Sequence, residues 1–87
     1  MHRIIYSKNF IKQYNKLPIT IIKKTDKVIF KFKKNPKNPS LKSHKLTGVL
    51  SDRYAFSIEH QYRIVFSMNK EEGYFEFLKI GTHKIYQ

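Results

Sequence analysis

Apolar residues recur along this chain with two different periods, and the change between them divides it into a helical half and a strand half. Arg3-Ile4-Ile5-Tyr6 is a short apolar run of strand type. Ser7 follows, and its hydroxyl can accept one of the orphan N–H groups at the start of a helix. Phe10, Tyr14 and Leu17 then stand at i, i+4 and i+7, one helical face, with Lys8, Lys12 and Lys16 on another side. Pro18 suits the first turn of a second helix, where its missing N–H costs nothing. Beyond it Ile21, Ile22, Val28, Ile29 and Phe32 keep helical period, interleaved with Lys23, Lys24, Lys27, Lys31 and Lys34. This predicts an amphipathic helix with a basic back. Two helices joined at a proline predict an αα-hairpin.

The prolines of Asn35-Pro36-Lys37-Asn38-Pro39-Ser40 end the second helix, because each disfavours helical backbone in the residue before it. Residues 35–51 read as an extended connection ordered by Leu41, Leu46 and Leu50. The period then falls to two. Tyr54, Phe56 and Ile58 alternate with Arg53, Ala55, Ser57 and Glu59; Tyr62, Ile64, Phe66 and Met68 alternate with Gln61, Arg63, Val65 and Ser67. Each run predicts a half-buried strand, and His60-Gln61 joins them tightly. Asn69-Lys70-Glu71-Glu72-Gly73 is a hairpin loop, and residues 74–80 form a further strand before Gly81-Thr82-His83 turns the chain. The predicted order is β-α-α-β-β-β, an α+β class domain spanning residues 1–87. Its N-terminal helical hairpin packs on one face of a sheet whose consecutive strands, joined by short loops, are antiparallel. The other face is left with Arg53, Ser57, Glu59, Gln61 and Arg63.

Composition sharpens this picture. A domain of 87 residues buries only roughly 60–65% of the surface its unfolded chain exposes, so its core must come from large side chains. The 7 Phe and 6 Tyr supply them. There is no cysteine, which removes disulfides and thiolate metal sites and fits a reducing cytoplasm. The apolar run near the N-terminus is too short for a signal peptide or a membrane span, so neither export nor membrane insertion is expected. Net charge is +12. Residues 1–50 hold 13 Lys/Arg and one acid, Asp26, whereas residues 51–87 hold five of each, so the whole surplus belongs to the first half. Such a field attracts polyanions, a nucleic acid, an anionic membrane or an acidic protein partner, of which the nucleic acid and the acidic partner are favoured.

Candidate chemistry is confined to a few side chains. No phosphate-cradling GxxxxGK[ST] or GxGxxG occurs, and His2, His44, His60 and His83 lack metal-ligand spacing. Neither cofactor nor metal is expected. Arg63 interrupts the apolar Tyr62-Arg63-Ile64-Val65-Phe66, where a charge must face a groove or find a partner. His44 lies in the connection before the strands, and His83 in a turn three residues before Tyr86. Such a set suits RNA cleavage without metal: a base for the 2′-hydroxyl, a cation for the phosphorane and an acid for the leaving 5′-oxygen. Arg63 can grip a phosphate with two parallel bonds, and His titrates in the useful range. Structural readings stand beside these. Arg63 could pair with Glu59 or Glu76, His44 could be a loop residue satisfied by backbone, and His83 could cap a turn. His2 and His60 read as plain surface.

Four segments carry a family resemblance. His44-Lys45-Leu46-Thr47-Gly48 resembles the H-x-L-x-G signature of the YafQ branch of RelE-type toxins. The strand pair ending in Tyr62-Arg63-Ile64-Val65-Phe66 is similar to the one that superfamily ends in Y-R-L-V-Y. Ile80-Gly81-Thr82-His83-Lys84-Ile85-Tyr86 looks like its L-G-T-H-x-x-[YF] terminus, and Ile4-Ile5-Tyr6-Ser7-Lys8-Asn9-Phe10 matches its usual start. Together they span nearly the whole chain and resemble the RelE/ParE superfamily of type II toxin–antitoxin toxins, on its mRNA interferase side.

The resemblance implies an endoribonuclease that cuts mRNA in the A site of the 70S ribosome and is neutralised by a cognate acidic antitoxin. It implies His44 as base or phosphate contact, Arg63 as stabiliser of the transition state, His83 as acid or second proton carrier and Tyr86 as a stacking or orienting residue. Lys45, Arg53 and Lys79 would hold RNA phosphates. Gln61 stands where YafQ-like members have Asp, and Tyr54 where Trp is usual. Glutamine cannot act as a base, so either His44 takes that part, Glu59 substitutes, or activity is reduced. Two other functions are compatible with the same pattern: a ParE-like toxin that inhibits DNA gyrase, and a non-catalytic nucleic-acid-binding domain.

Overall fold

The computed structural model describes residues 1–48, 52–59 and 61–82. Its elements are β1 (Arg3–Tyr6), α1 (Lys8–Tyr14), α2 (Ile19–Lys34), a 3-10 turn (Pro39–Leu41), β2 (His44–Lys45), β3 (Tyr54–Glu59), β4 (Tyr62–Asn69) and β5 (Tyr74–Thr82). Ser7 caps α1, its Oγ accepting from Phe10 N at 3.0 Å. Pro18 is the N-cap of α2 rather than a residue of its first turn, and its carbonyl accepts from the N–H groups of Ile21 and Ile22. The helices bury Phe10, Ile21, Thr25, Ile29 and Phe32. Thr25 is buried in that layer, and its hydroxyl donates back to Ile21 O at 2.7 Å.

The sheet order is β1-β5-β4-β3-β2. The consecutive strands β2 to β5 pair antiparallel, as short loops require. The α+β architecture with a helical hairpin over one face is as the sequence predicts, with two additions. First, β1 runs parallel to β5, so the sheet is mixed; the helical hairpin supplies the long crossover that a parallel neighbour needs. Second, the connection after α2 contains the 3-10 turn and the two-residue edge strand β2, and Leu41 anchors it in the core. One face packs on the helices through Phe56, Ile64, Phe66, Phe77 and Ile80. Phe32, with no exposed surface, meets Phe56, Phe66, Phe75 and Phe77 at ring-centroid distances of 4.9 to 5.2 Å.

Two bulges decide what the opposite face displays. The β3–β4 register shifts between Ser57 and Glu59, leaving Ile58 as the extra residue. The β4–β5 register shifts between Val65 and Phe66, leaving Leu78 extra in β5. An extra residue reverses the alternation beyond it. Phe77 therefore faces the core and so does Ile80, while Lys79 turns to the open face. Bulging also frees backbone groups from the ladder, and α1 satisfies them: Ser7 Oγ donates to Leu78 O at 2.9 Å, and Gln13 Oε1 accepts from Ile80 N at 2.9 Å.

Candidate active face

Cross-strand register puts Ser57 directly opposite Arg63, and Gly81 on the other side of Arg63. In the adjoining row His44, Ala55, Val65 and Lys79 line up across four strands. Directly opposed residues lie about 5 Å apart, and three strand spacings separate His44 from Lys79 by about 14 Å. Ala55 and Val65 are both buried, so the middle of this row is apolar and out of reach of solvent. His44 and Lys79 stand at the two ends of the row, and Ser57 and Arg63 lie in the next, so polar and cationic side chains flank its apolar centre.

The Arg63 guanidinium is held from its own hairpin end: Nη1 donates to Glu59 O at 3.2 Å and to Tyr62 O at 3.3 Å. A guanidinium carries its donors in a fixed fork, so these bonds to the hairpin end set its orientation. The Glu59 carboxylate is not its partner. The Ile58 bulge places Glu59 opposite Tyr62, on the helix side of the sheet, where Lys24 Nζ donates to its Oε2 at 2.6 Å. The sequence pattern set Glu59 beside Arg63 on the open face; the bulge is the reason it is elsewhere.

His44 is exposed on the edge strand, and its Nδ1 lies 3.3 Å from Lys42 O. Lys45 alternates away from His44 and pairs with Tyr54, on the helix side. Arg53 flanks β3 on the open face. Its carbonyl accepts from Leu46 N at 2.8 Å, and its Nε is buried without a hydrogen-bond partner among the described residues. Gln61 is exposed in the turn. His83 and Tyr86 lie outside the described residues, as do Leu50 and His60.

Strand alternation alone says of Ser57 only that it is polar; its place opposite Arg63 follows from the bulge at Ile58. The lysine-rich side of α2 lies on the far side of the sheet from Arg63, so the chain has two basic surfaces. Between α1 and α2 an apolar cleft is lined by Tyr6, Phe10, Ile11, Tyr14, Ile29 and Phe30. Across its rim the Tyr14 hydroxyl donates to Asp26 Oδ1 at 2.6 Å. That bond, aided by burial, pushes the Tyr14 pKa from 10.0 up to about 12. No described helix is long and apolar enough to cross a membrane.

No protein-family model matches the chain, and no curated protein matches it. Solved structures do. The YoeB/ParE toxin from Agrobacterium tumefaciens superposes with a TM-score of 0.77 at 15% identity, covering 93% of this chain and 98% of that one. The toxin–antitoxin complex RelBE2 from Mycobacterium tuberculosis gives 0.78 at 14% identity, covering 94% and 98%. The DinJ–YafQ toxin–antitoxin complex of E. coli gives 0.77 at 18% identity, covering 98% and 97%. With so few residues in common and so much of each chain superposed, the likeness lies in the architecture: this chain has the fold of the RelE/ParE superfamily toxins.

Proposed function

We propose that this chain is the toxin of a type II toxin–antitoxin pair, an endoribonuclease that cuts mRNA in the A site of the ribosome without a metal or cofactor. The observation that supports this most is the open face, where Arg63 is oriented by two backbone carbonyls between Ser57 and Gly81, with His44 and Lys79 in the next row. In the proposed reaction a 2′-oxygen attacks the neighbouring phosphorus while a base takes its proton. The bond from phosphorus to the 5′-oxygen then breaks, and an acid protonates that oxygen. The products are a 2′,3′-cyclic phosphate and a 5′-hydroxyl, so atoms balance without a co-reactant.

In this reading His44 is the base, Arg63 stabilises the charge of the phosphorane, His83 is the acid and Tyr86 stacks on or orients the substrate. Arg53 and Lys79 hold phosphates from the same face. Lys45, on the helix side of its strand, would hold a phosphate only at the sheet edge, and Gln61 would touch RNA from the exposed turn. Glu59, tied to Lys24, is the weakest of the assigned residues. The partner is an acidic antitoxin segment that folds as it binds, drawn by the +12 charge, and the compartment is the bacterial cytoplasm.

The test is induction of the chain in a tester bacterium, wild type beside Arg63→Ala and His83→Ala, with primer extension on an abundant mRNA. New 5′ ends within translated codons are expected for the wild type alone. Growth arrest without new ends would instead support a ParE-like gyrase poison, and neither effect would leave a non-catalytic binding domain.

A further inference from the structure

One residue of the connection between α2 and the sheet stands in a conformation its side chain disfavours. Lys42 has φ 55° and ψ 41°, the left-handed region, and is the only non-glycine residue with positive φ among the described residues. Lysine gains nothing there from its own side chain. What holds it is the turn behind it and the strand ahead. Pro39 opens the 3-10 turn, Asn38 Oδ1 accepts from both Ser40 N and Ser40 Oγ at 2.9 Å, and Leu41 is buried in the core. Lys42 N then donates to Pro39 O at 3.1 Å, and two residues on, His44 is fixed opposite Ala55. The chain between these anchors has little choice, and the left-handed residue turns its carbonyl toward the His44 ring, 3.3 Å from Nδ1.

A carbonyl oxygen can only accept. The contact therefore requires the proton on Nδ1, which leaves the lone pair of the neutral imidazole on Nε2. An imidazole free in water favours the opposite tautomer. We propose that Lys42 is a positioning residue that acts through its backbone, not its ammonium group: its left-handed carbonyl fixes His44 in the tautomer whose Nε2 is the base. This rests on the reading of His44 as the base in RNA cleavage. It adds which nitrogen takes the 2′-hydroxyl proton and which contact selects that tautomer of the neutral ring.

The prediction separates backbone from charge. Glycine and asparagine adopt the left-handed region readily, and a β-branched residue does not. Lys42→Gly and Lys42→Asn should keep cleavage close to wild type. Lys42→Val should lower it several-fold, because without the carbonyl the tautomer with its lone pair on Nε2 falls to a minority, with folding checked by thermal unfolding. Nitrogen-15 NMR of the histidine rings, read above the imidazole pKa, supplies a measure independent of activity. His44 should show the Nδ1–H pattern in wild type, Lys42→Gly and Lys42→Asn, and should revert toward Nε2–H in Lys42→Val.

Equal loss in all three variants would mean the ammonium matters and would overturn the proposal. So would an Nε2–H signal in the wild type. An Nδ1–H signal in a chain that cuts no RNA would instead sink the nuclease reading, and with it the base role, while leaving the tautomer lock standing.

Discussion

Removal of the Ser7 hydroxyl tests how the open face is built. Ser7 Oγ accepts from Phe10 N and donates to Leu78 O, so Ser7→Ala strips the cap of α1 and leaves the carbonyl of the β5 bulge without its donor. The cap is worth about 1 kcal/mol. A partly buried carbonyl left unmet costs about 1 more. Gln13→Ala acts on the same bulge, leaving Ile80 N–H unpaired at about 1–3 kcal/mol. A domain of this size has about 4–13 kcal/mol of stability in all, so both variants should fold. With a urea slope of about 2 kcal/mol/M, each midpoint should fall by roughly 1 M. The double variant should lose less than the two singles added, because both side chains brace one bulge. Amide exchange at Ile80 should quicken in Gln13→Ala. Since the bulge also turns Lys79 outward, RNA cleavage should fall in both variants even where they are fully folded. Midpoints within about 0.2 M of wild type, with strictly additive losses, would refute the idea that α1 holds the bulge.

Other expectations follow from particular contacts. Phe32→Ala removes a side chain with no exposed surface at the centre of the aromatic cluster and should cost about 3–5 kcal/mol, close to unfolding; a thermal midpoint lowered by only a few degrees would contradict that placement. Tyr14 should ionise near pH 12 rather than near 10, by ultraviolet absorbance. Because its pKa is raised on folding, the stability it contributes is complete below pH 10 and is lost as pH climbs toward 12; Asp26→Asn should bring its ionisation down, and an unchanged titration would show the bond to be idle. Glu59→Gln breaks only an exposed ion pair with Lys24 and should change stability by less than about 1 kcal/mol; a large loss of cleavage would show that Glu59 acts in the chemistry after all.

The helices were readable because their apolar residues repeat with a period that only a helix brings to one side, and Ser7 and the prolines mark where they start and stop. The strands were readable for the same reason, but their faces were not fully. A tight link at His60-Gln61 pairs Glu59 with Tyr62 and would pair Ile58 with Arg63, yet alternation assigns Ile58 inward and Arg63 outward. That contradiction requires one extra residue, and the structure places it at Ile58. The apolar residues of β5 hold the same signal, since Phe77 and Ile80 are three apart and both buried. Parity of the pattern, counted across the hairpin, would have put Ser57 opposite Arg63 and moved Glu59 to the helix side. The parallel seat of β1 and the strand β2 were out of reach, because each is decided by long-range pairing and neither has a pattern of its own. Lys42 gave no sign either: a lysine in a left-handed conformation is imposed by the turn around it.

The most direct test of the central claim is cleavage of a defined mRNA on programmed 70S ribosomes by the purified chain, wild type against Arg63→Ala, with the new ends analysed chemically. The account predicts cuts at the A-site codon bearing a 2′,3′-cyclic phosphate and a 5′-hydroxyl, slowed about 100- to 1,000-fold in Arg63→Ala under conditions where the variant is still fully folded. A wild-type chain that binds ribosomes and cuts nothing, or an Arg63→Ala variant that cuts as fast as wild type, would contradict it.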